Sequence, residues 1–117
     1  MDLNELTAKI ISFRDARDWK QFHKPNHLAS AISIEAAELL EHFLWKSPDA
    51  VEEKVKDEAE RGAIAEELAD IFIFSLLLAH ELGVDPFKIV SDKLGKNELK
   101  YPSEAVRGSS KKYSEYD

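Results

Sequence analysis

The chain has 117 residues, 44% of them apolar and 33% charged, with a net charge of −7 and no cysteine. That is one domain's length with enough apolar content to fold, and it excludes a disordered chain, disulfides, thiolate metal sites and cysteine nucleophiles. The acidic balance argues against a nucleic-acid-binding face, and MDLNELTAKI lacks the basic-then-apolar layout of a secretory signal.

The helical period runs through almost the whole chain. Leu3, Leu6, Ile10 and Phe13 recur three or four apart and predict a first helix. HKPNH, from His23 to His27, interrupts it, because Pro25 disfavours helical geometry in the residue before it. Asn26 is the expected N-cap of a second helix whose stripe is Leu28, Ala29, Ile32, Ala36, Leu39, Leu40 and Phe43, ending near Trp45. Ser47 and Pro48 mark a new start by cap-plus-proline logic. The charged stretch from Asp49 to Gly62 reads as a short helix or a connector. A long helix is expected from Gly62 to Leu82, stopped by Gly83, and a last one from Asp85-Pro86-Phe87 to about Tyr101. The fold class is all-α, a helical bundle of four to five helices, with residues 1–102 as the domain and 103–117 as a polar tail ordered only by a ligand or neighbouring subunit.

The long helix is unusual. After Asp70 it reads IFIFSLLLA, apolar on every side, and a helix apolar all round must be buried all round. In so short a chain this predicts an oligomer with that helix at its centre. The run falls far short of the ~20 residues of a membrane span, so no membrane partner and a cytoplasmic address are expected.

Two acidic pairs stand out. Glu35 and Glu38 are spaced i,i+3, and so are Glu67 and Asp70 at the head of the apolar run. Such positions are neighbours on a helix, with Cβ atoms roughly 5–6 Å apart, and like charges that close are unfavourable unless a cation lies between them. Glu35 borders the apolar stripe, and Asp70 shares a side with Phe74 and Leu77, which is expected to be buried. Two such pairs make an all-oxygen cage suited to a hard divalent ion, which for Mg²⁺ includes waters and substrate phosphates. A di-iron site would need Glu-x-x-His, and no glutamate here has a histidine three residues later. A magnesium cage without a Walker loop points to phosphoanhydride chemistry, with Glu41 and Glu66 as spare acids for proton transfer. Of these, Glu41 is left as an ordinary surface residue.

Charge is uneven along the chain: Glu35 to Asp70 holds 12 acids and 4 bases, and Lys93 to Lys112 holds 6 bases and 2 acids. Trp19, Phe22, His23 and Trp45 lie at helix ends and suit either lids on the core or faces that stack on a base. Lys93, Lys96 (or Asn97) and Lys100 share one helical face able to hold phosphate oxygens, with Tyr101 beside them.

EAAE followed by ELAD resembles the E-x-x-E…E-x-x-D signature of the MazG-like, all-α nucleoside triphosphate pyrophosphohydrolases. RDWKQFHKP, FLWKS, EELADIFIF, K-x-x-x-N-x-x-x-Y-P and KKYSEY are similar, in order, to segments of the dCTP pyrophosphatase branch. The resemblance implies a tetrameric bundle that cleaves a (d)NTP between the α and β phosphates, giving (d)NMP and pyrophosphate in nucleotide house-cleaning. It implies Mg²⁺, with Mn²⁺ as a substitute, held by Glu35, Glu38, Glu67 and Asp70. It implies Trp19, His23 and Trp45 near base and sugar, with Trp45 reaching a neighbouring subunit, and Lys93, Asn97, Lys100 and Tyr101 on the phosphate side. Two positions depart: Phe74 stands where the vertebrate branch has a substrate-contacting tyrosine, and Lys100 replaces an arginine and its bidentate fork. These leave the base open among dCTP and other or modified pyrimidine dNTPs. The rival reading is a non-catalytic helical module that oligomerises through IFIFSLLLA.

Overall fold

The computed structural model describes residues 1–110, which form helices and turns with no strand among them. The helices are α1 (Leu3–Ala16), α2 (Pro25–Glu41), α3 (Pro48–Lys56), α4 (Glu58–Leu82), α5 (Pro86–Lys100) and α6 (Ser103–Val106), with a 3-10 turn at Lys20–Phe22. α6 is a single turn where only a polar tail was expected. Residues 111–117, with KKYSEY, lie outside the described residues.

Local sequence starts and stops most of these helices. Asp2, Ser47, Asp57 and Asp85 accept backbone N–H bonds from Glu5 (2.8 Å), Ala50 (3.2 Å), Glu60 (2.9 Å) and Phe87 (2.9 Å), and so satisfy donors that a helix N-terminus leaves orphaned. Gly83 ends α4 in the left-handed conformation at φ 67°, which costs a glycine little. Three expected boundaries move. Pro25, with φ preset for the first helical position, takes that place in α2, so the cap falls on Lys24, which makes no side-chain bond. Asn26 instead offers its carbonyl to the Ser30 hydroxyl at 3.0 Å. α2 stops at Glu41, and the chain turns through residues 42–45. α4 begins at Glu58, ahead of Gly62, because Asp57 supplies a cap there.

The chain divides into two compact units, Met1–Gly83 and the residues from Val84 on. In the first, α4 is the element on which α1, α2 and α3 all pack. Its innermost apolar residues are Leu28 on α2, 1% exposed, and Leu77 and Ala79 on α4. α1 does not present the expected face. Leu3, Thr7, Ile10 and Ile11 turn partly inward, Leu6 and Phe13 face outward, and Arg14 is buried. Arg14 donates to Glu81 of α4 at 2.8 Å and to Asp15 at 2.9 Å. A buried guanidinium is tolerated only with such partners.

The apolar character of α4 exceeds what this chain covers by itself: Phe72 is 60% exposed, and Leu68 and Ile73 are exposed with it. In the second unit α5, capped by Asp85, exposes Phe87, Ile89, Val90 and Leu94. No helix among the described residues is long and apolar enough to cross a membrane.

Leu28 has the deepest burial of any residue described, so Leu28→Ala is expected to destabilise the fold by about 2–5 kcal/mol, read as a lowered urea midpoint with unchanged m-value.

Candidate metal centre

Glu35 and Glu38 lie one turn apart on α2, Glu67 lies on α4, and the packing of these two helices brings the carboxylates together. One oxygen from each of Glu35, Glu38 and Glu67 falls within 4.8 Å of the others, and all three residues are half-buried. Asp70 stays outside this tight group, although its charge acts on Glu35. Its expected burial is not observed within the chain: Leu77 is buried and Phe74 half-buried, whereas Asp70 is exposed. Sharing a helix side does not guarantee equal cover, which depends on what packs at each level along the axis.

The electrostatics of the group are those of an unbalanced site. Glu35 Oε2 is inaccessible to solvent and has no hydrogen-bond partner. The Glu35 carboxyl is pushed up to about 7, by burial first and then by the adjoining carboxyls of Glu38 and Glu67 and the charge of Asp70. Glu67 is also raised, by burial first and by Glu38, while Glu35 and the nearby His42 pull the other way. Carboxylates that suppress one another's ionisation are relieved by a cation, and three oxygens this close match the donor set that a hard divalent ion takes. The residues present therefore fit such an ion.

Beside the group, Glu38 and Glu67 join Glu41, His42 and Lys54 around an open cavity of about 430 Å³. Glu41 thus borders the site after all. Its i+3 relation to Glu38, and the i+4 relation of His42, are signals that sequence carries. Lys54 gives no such signal, because only the docking of α3 on α4 brings it there. Glu66 is exposed and is not part of this cavity lining.

The expected aromatic pocket residues are placed variously. Trp19 packs edge-on against Phe13, ring centroids 5.7 Å apart, and the Arg17 guanidinium lies 3.6 Å from the Phe13 ring centroid. His23 follows the 3-10 turn near Arg14 and Glu81. Burial first, and Arg14 second, lower its pKa, with Glu81 opposing, and its Nδ1 is buried without a partner. Trp45 is 99% exposed with φ 61°, a left-handed backbone uncommon for a bulky residue. Within one chain it is not a lid on the core. Phe74 lies on α4 one turn after Asp70 and carries no polar handle. In the second unit, Lys93, Asn97 and Lys100 follow one another at helical spacing on α5, and Tyr101 N–H donates to the Asn97 carbonyl at 2.8 Å. The structure therefore gathers three of the four acids tightly with Asp70 beside them, and carries the expected phosphate-side residues on a separate compact unit.

A fold with no strand among the described residues and a carboxylate cluster between two packed helices defines an all-α protein with a candidate divalent-metal site built from glutamates. The chain belongs to the MazG-like family, whose profile matches residues 30–116. It is 38% identical over 113 residues to the proteins named dCTP pyrophosphatase 1 of Rattus norvegicus and of Homo sapiens, spanning 97% of this chain and 66% of each relative. It thus covers slightly less than two thirds of those relatives' length. A crystal structure of a pyrophosphatase from Archaeoglobus fulgidus superposes with a TM-score of 0.80 at 42% identity, covering 86% of this chain and 92% of that one.

Because the folded-state pKa of Glu35 lies above its ordinary value of 4.5, its favourable contribution is complete below pH 4.5 and is lost as pH rises through about 7. Metal-free Glu35→Gln is expected to melt several degrees above the parent at pH 8 and to show little difference at pH 4.5, measured by thermal denaturation in chelator. The gain at pH 8 should vanish or reverse when Mg²⁺ is added, because the parent alone keeps the full ligand set.

Proposed function

We propose that this chain is a Mg²⁺-dependent nucleoside triphosphate pyrophosphohydrolase. It converts a (d)NTP, with dCTP or a related or modified pyrimidine dNTP preferred, to the (d)NMP and pyrophosphate, and so clears unwanted nucleotides from the cytoplasmic pool. The observation that carries this reading is the Glu35–Glu38–Glu67 group, with its buried unpartnered oxygen, in a MazG-like chain. The names of its relatives supply the substrate class.

Glu35, Glu38, Glu67 and Asp70 hold the metal, with Mn²⁺ as a substitute. When bound, it supplies charge neutralisation of the triphosphate and a lowered pKa for a bound water. Water oxygen bonds to the α phosphorus as the bond from that phosphorus to the α–β bridging oxygen breaks, and pyrophosphate departs with that oxygen. The proton of the attacking water needs a carboxylate outside the metal set. Glu41 lines the cavity and Glu66 does not, which favours Glu41. Trp19, His23 and Trp45 serve base and sugar, a neutral His23 being suited to hydrogen bonding, and Lys93, Asn97, Lys100 and Tyr101 serve the phosphate side. Phe74 lacks a hydroxyl and Lys100 a bidentate fork, which supports a substrate range wider than dCTP.

The working form is a homo-oligomer, a tetramer by family likeness. The exposed Phe72 and Ile73 of α4 and the apolar face of α5 support it, because monomers rarely leave so much large apolar side chain in water.

Incubation with a dNTP panel and Mg²⁺ is expected to release pyrophosphate and a monophosphate, with no orthophosphate. Glu38→Ala or Asp70→Ala should lower kcat/KM by about 100-fold or more without loss of helicity, so unchanged turnover in both would sink the metal role. A purely structural helical module would show no shift in Tm on adding Mg²⁺ and nucleotide.

Analytical ultracentrifugation is expected to give a mass above that of one chain, and Phe72→Glu to shift it toward monomer. A monomeric parent would end the oligomer reading.

A further inference from the structure

The cavity beside the acidic group has one wall that neither acidic motif supplies. Three of its five lining residues are carboxylates, Glu38, Glu41 and Glu67, and His42 is the fourth. The fifth, Lys54, is the one permanently cationic side chain on that lining.

Lys54 is held there by local structure. It lies in the last turn of α3, its carbonyl accepts the Asp57 N–H at 3.2 Å, and its Nζ pairs with Glu60 of α4 at 3.3 Å. Its side chain is only 19% exposed. Other lysines of this region differ: Lys56 pairs with Glu53 on the same helix in open solvent, and Lys46 is exposed. The ion-pair partner of Lys54 is Glu60, and not one of the three carboxylates with which it shares the cavity. Lys54 therefore lines the cavity, while the ion pair of its ammonium is made outside the acidic group. A compact charge on a flexible stem with three donors is a common phosphate ligand, acting as a point charge. A polyphosphate laid against the acidic group presents several charged oxygens, of which the metal side engages only part.

We propose that Lys54 is a substrate-binding residue of this site, donating from its ammonium to a phosphate oxygen of the nucleotide, and equally to the pyrophosphate product. The assignment rests on the reading of the acidic group as a phosphoanhydride centre.

The test compares Lys54→Met, Lys54→Arg and Glu60→Gln with the parent, in dNTP turnover and in calorimetric binding of inorganic pyrophosphate with Mg²⁺. Lys54→Met is expected to raise KM and weaken pyrophosphate binding by about tenfold, the range of one charge-assisted hydrogen bond, with Tm close to the parent. Lys54→Arg is expected to restore most of both, and Glu60→Gln to stay within about twofold, since its partly exposed ion pair with Lys54 contributes little. Parent-like pyrophosphate binding in Lys54→Met overturns the assignment. So does a matching loss in Glu60→Gln, which would mean that Lys54 acts only by anchoring α3, and so does a parent that binds no pyrophosphate. Pyrophosphate binding that depends on Lys54 in a parent that hydrolyses no dNTP would uphold the assignment and overturn the proposed reaction instead.

Discussion

The packing of α2 against α4 is the constraint on which the rest depends. Each helix alone presents two carboxylates a turn apart, a mildly unfavourable arrangement that water screens. With Leu28 and Leu77 buried, the packed helices bring oxygens of Glu35, Glu38 and Glu67 within 4.8 Å of one another and take one Glu35 oxygen out of water. Apolar burial therefore does the work of assembling like charges. α3 and α1 then dock on the same α4 and bring Lys54 and Arg14 to their places.

The first unit treats its inward-facing charges in two opposite ways. Arg14 is buried at 2% exposure, yet its guanidinium meets Glu81 and Asp15, so its charge is satisfied within the chain. The acidic group is less buried than Arg14, yet burial first and the neighbouring carboxyls after it raise Glu35, and burial first and then Glu38 raise Glu67. The first arrangement joins α1 to α4 as a structural tie. The second leaves like charges facing one another, and titratable groups perturbed in this way cluster at functional sites. His23 adjoins the satisfied pair, and burial first and Arg14 second lower its pKa, with Glu81 opposing.

The apolar excess of α4 has a similar logic. Its run after Asp70 faces all directions, and one chain covers chiefly the side of Leu77 and Ala79. Phe72 and Ile73 are left in water on its other sides. Trp45, in a left-handed turn and wholly exposed, shows the same mismatch at the end of α2.

Much of this was legible in the sequence, and for short-range reasons. The i,i+3 pairs, the caps at Ser47 and Asp85, the stop at Gly83 and the all-round apolar run depend on residues within one or two turns of one another, and helix geometry converts such spacings directly into position. Boundaries slipped where two local signals competed, as when Pro25 displaced Asn26 from the cap of α2. Which of several faces a helix buries depends on distant partners: α1 turned Arg14 inward in place of Phe13 because Glu81, 67 residues away, was there to receive it. Asp70 stayed exposed although its helix side was read correctly, and Lys54 and Glu41 joined the cavity although nothing adjacent in sequence announced Lys54. The sequence by itself determined the helices and the chemistry they carry. Only the tertiary structure decided which charges meet, because electrostatic balance is set by distance and burial, and both arise from packing between residues far apart in the chain.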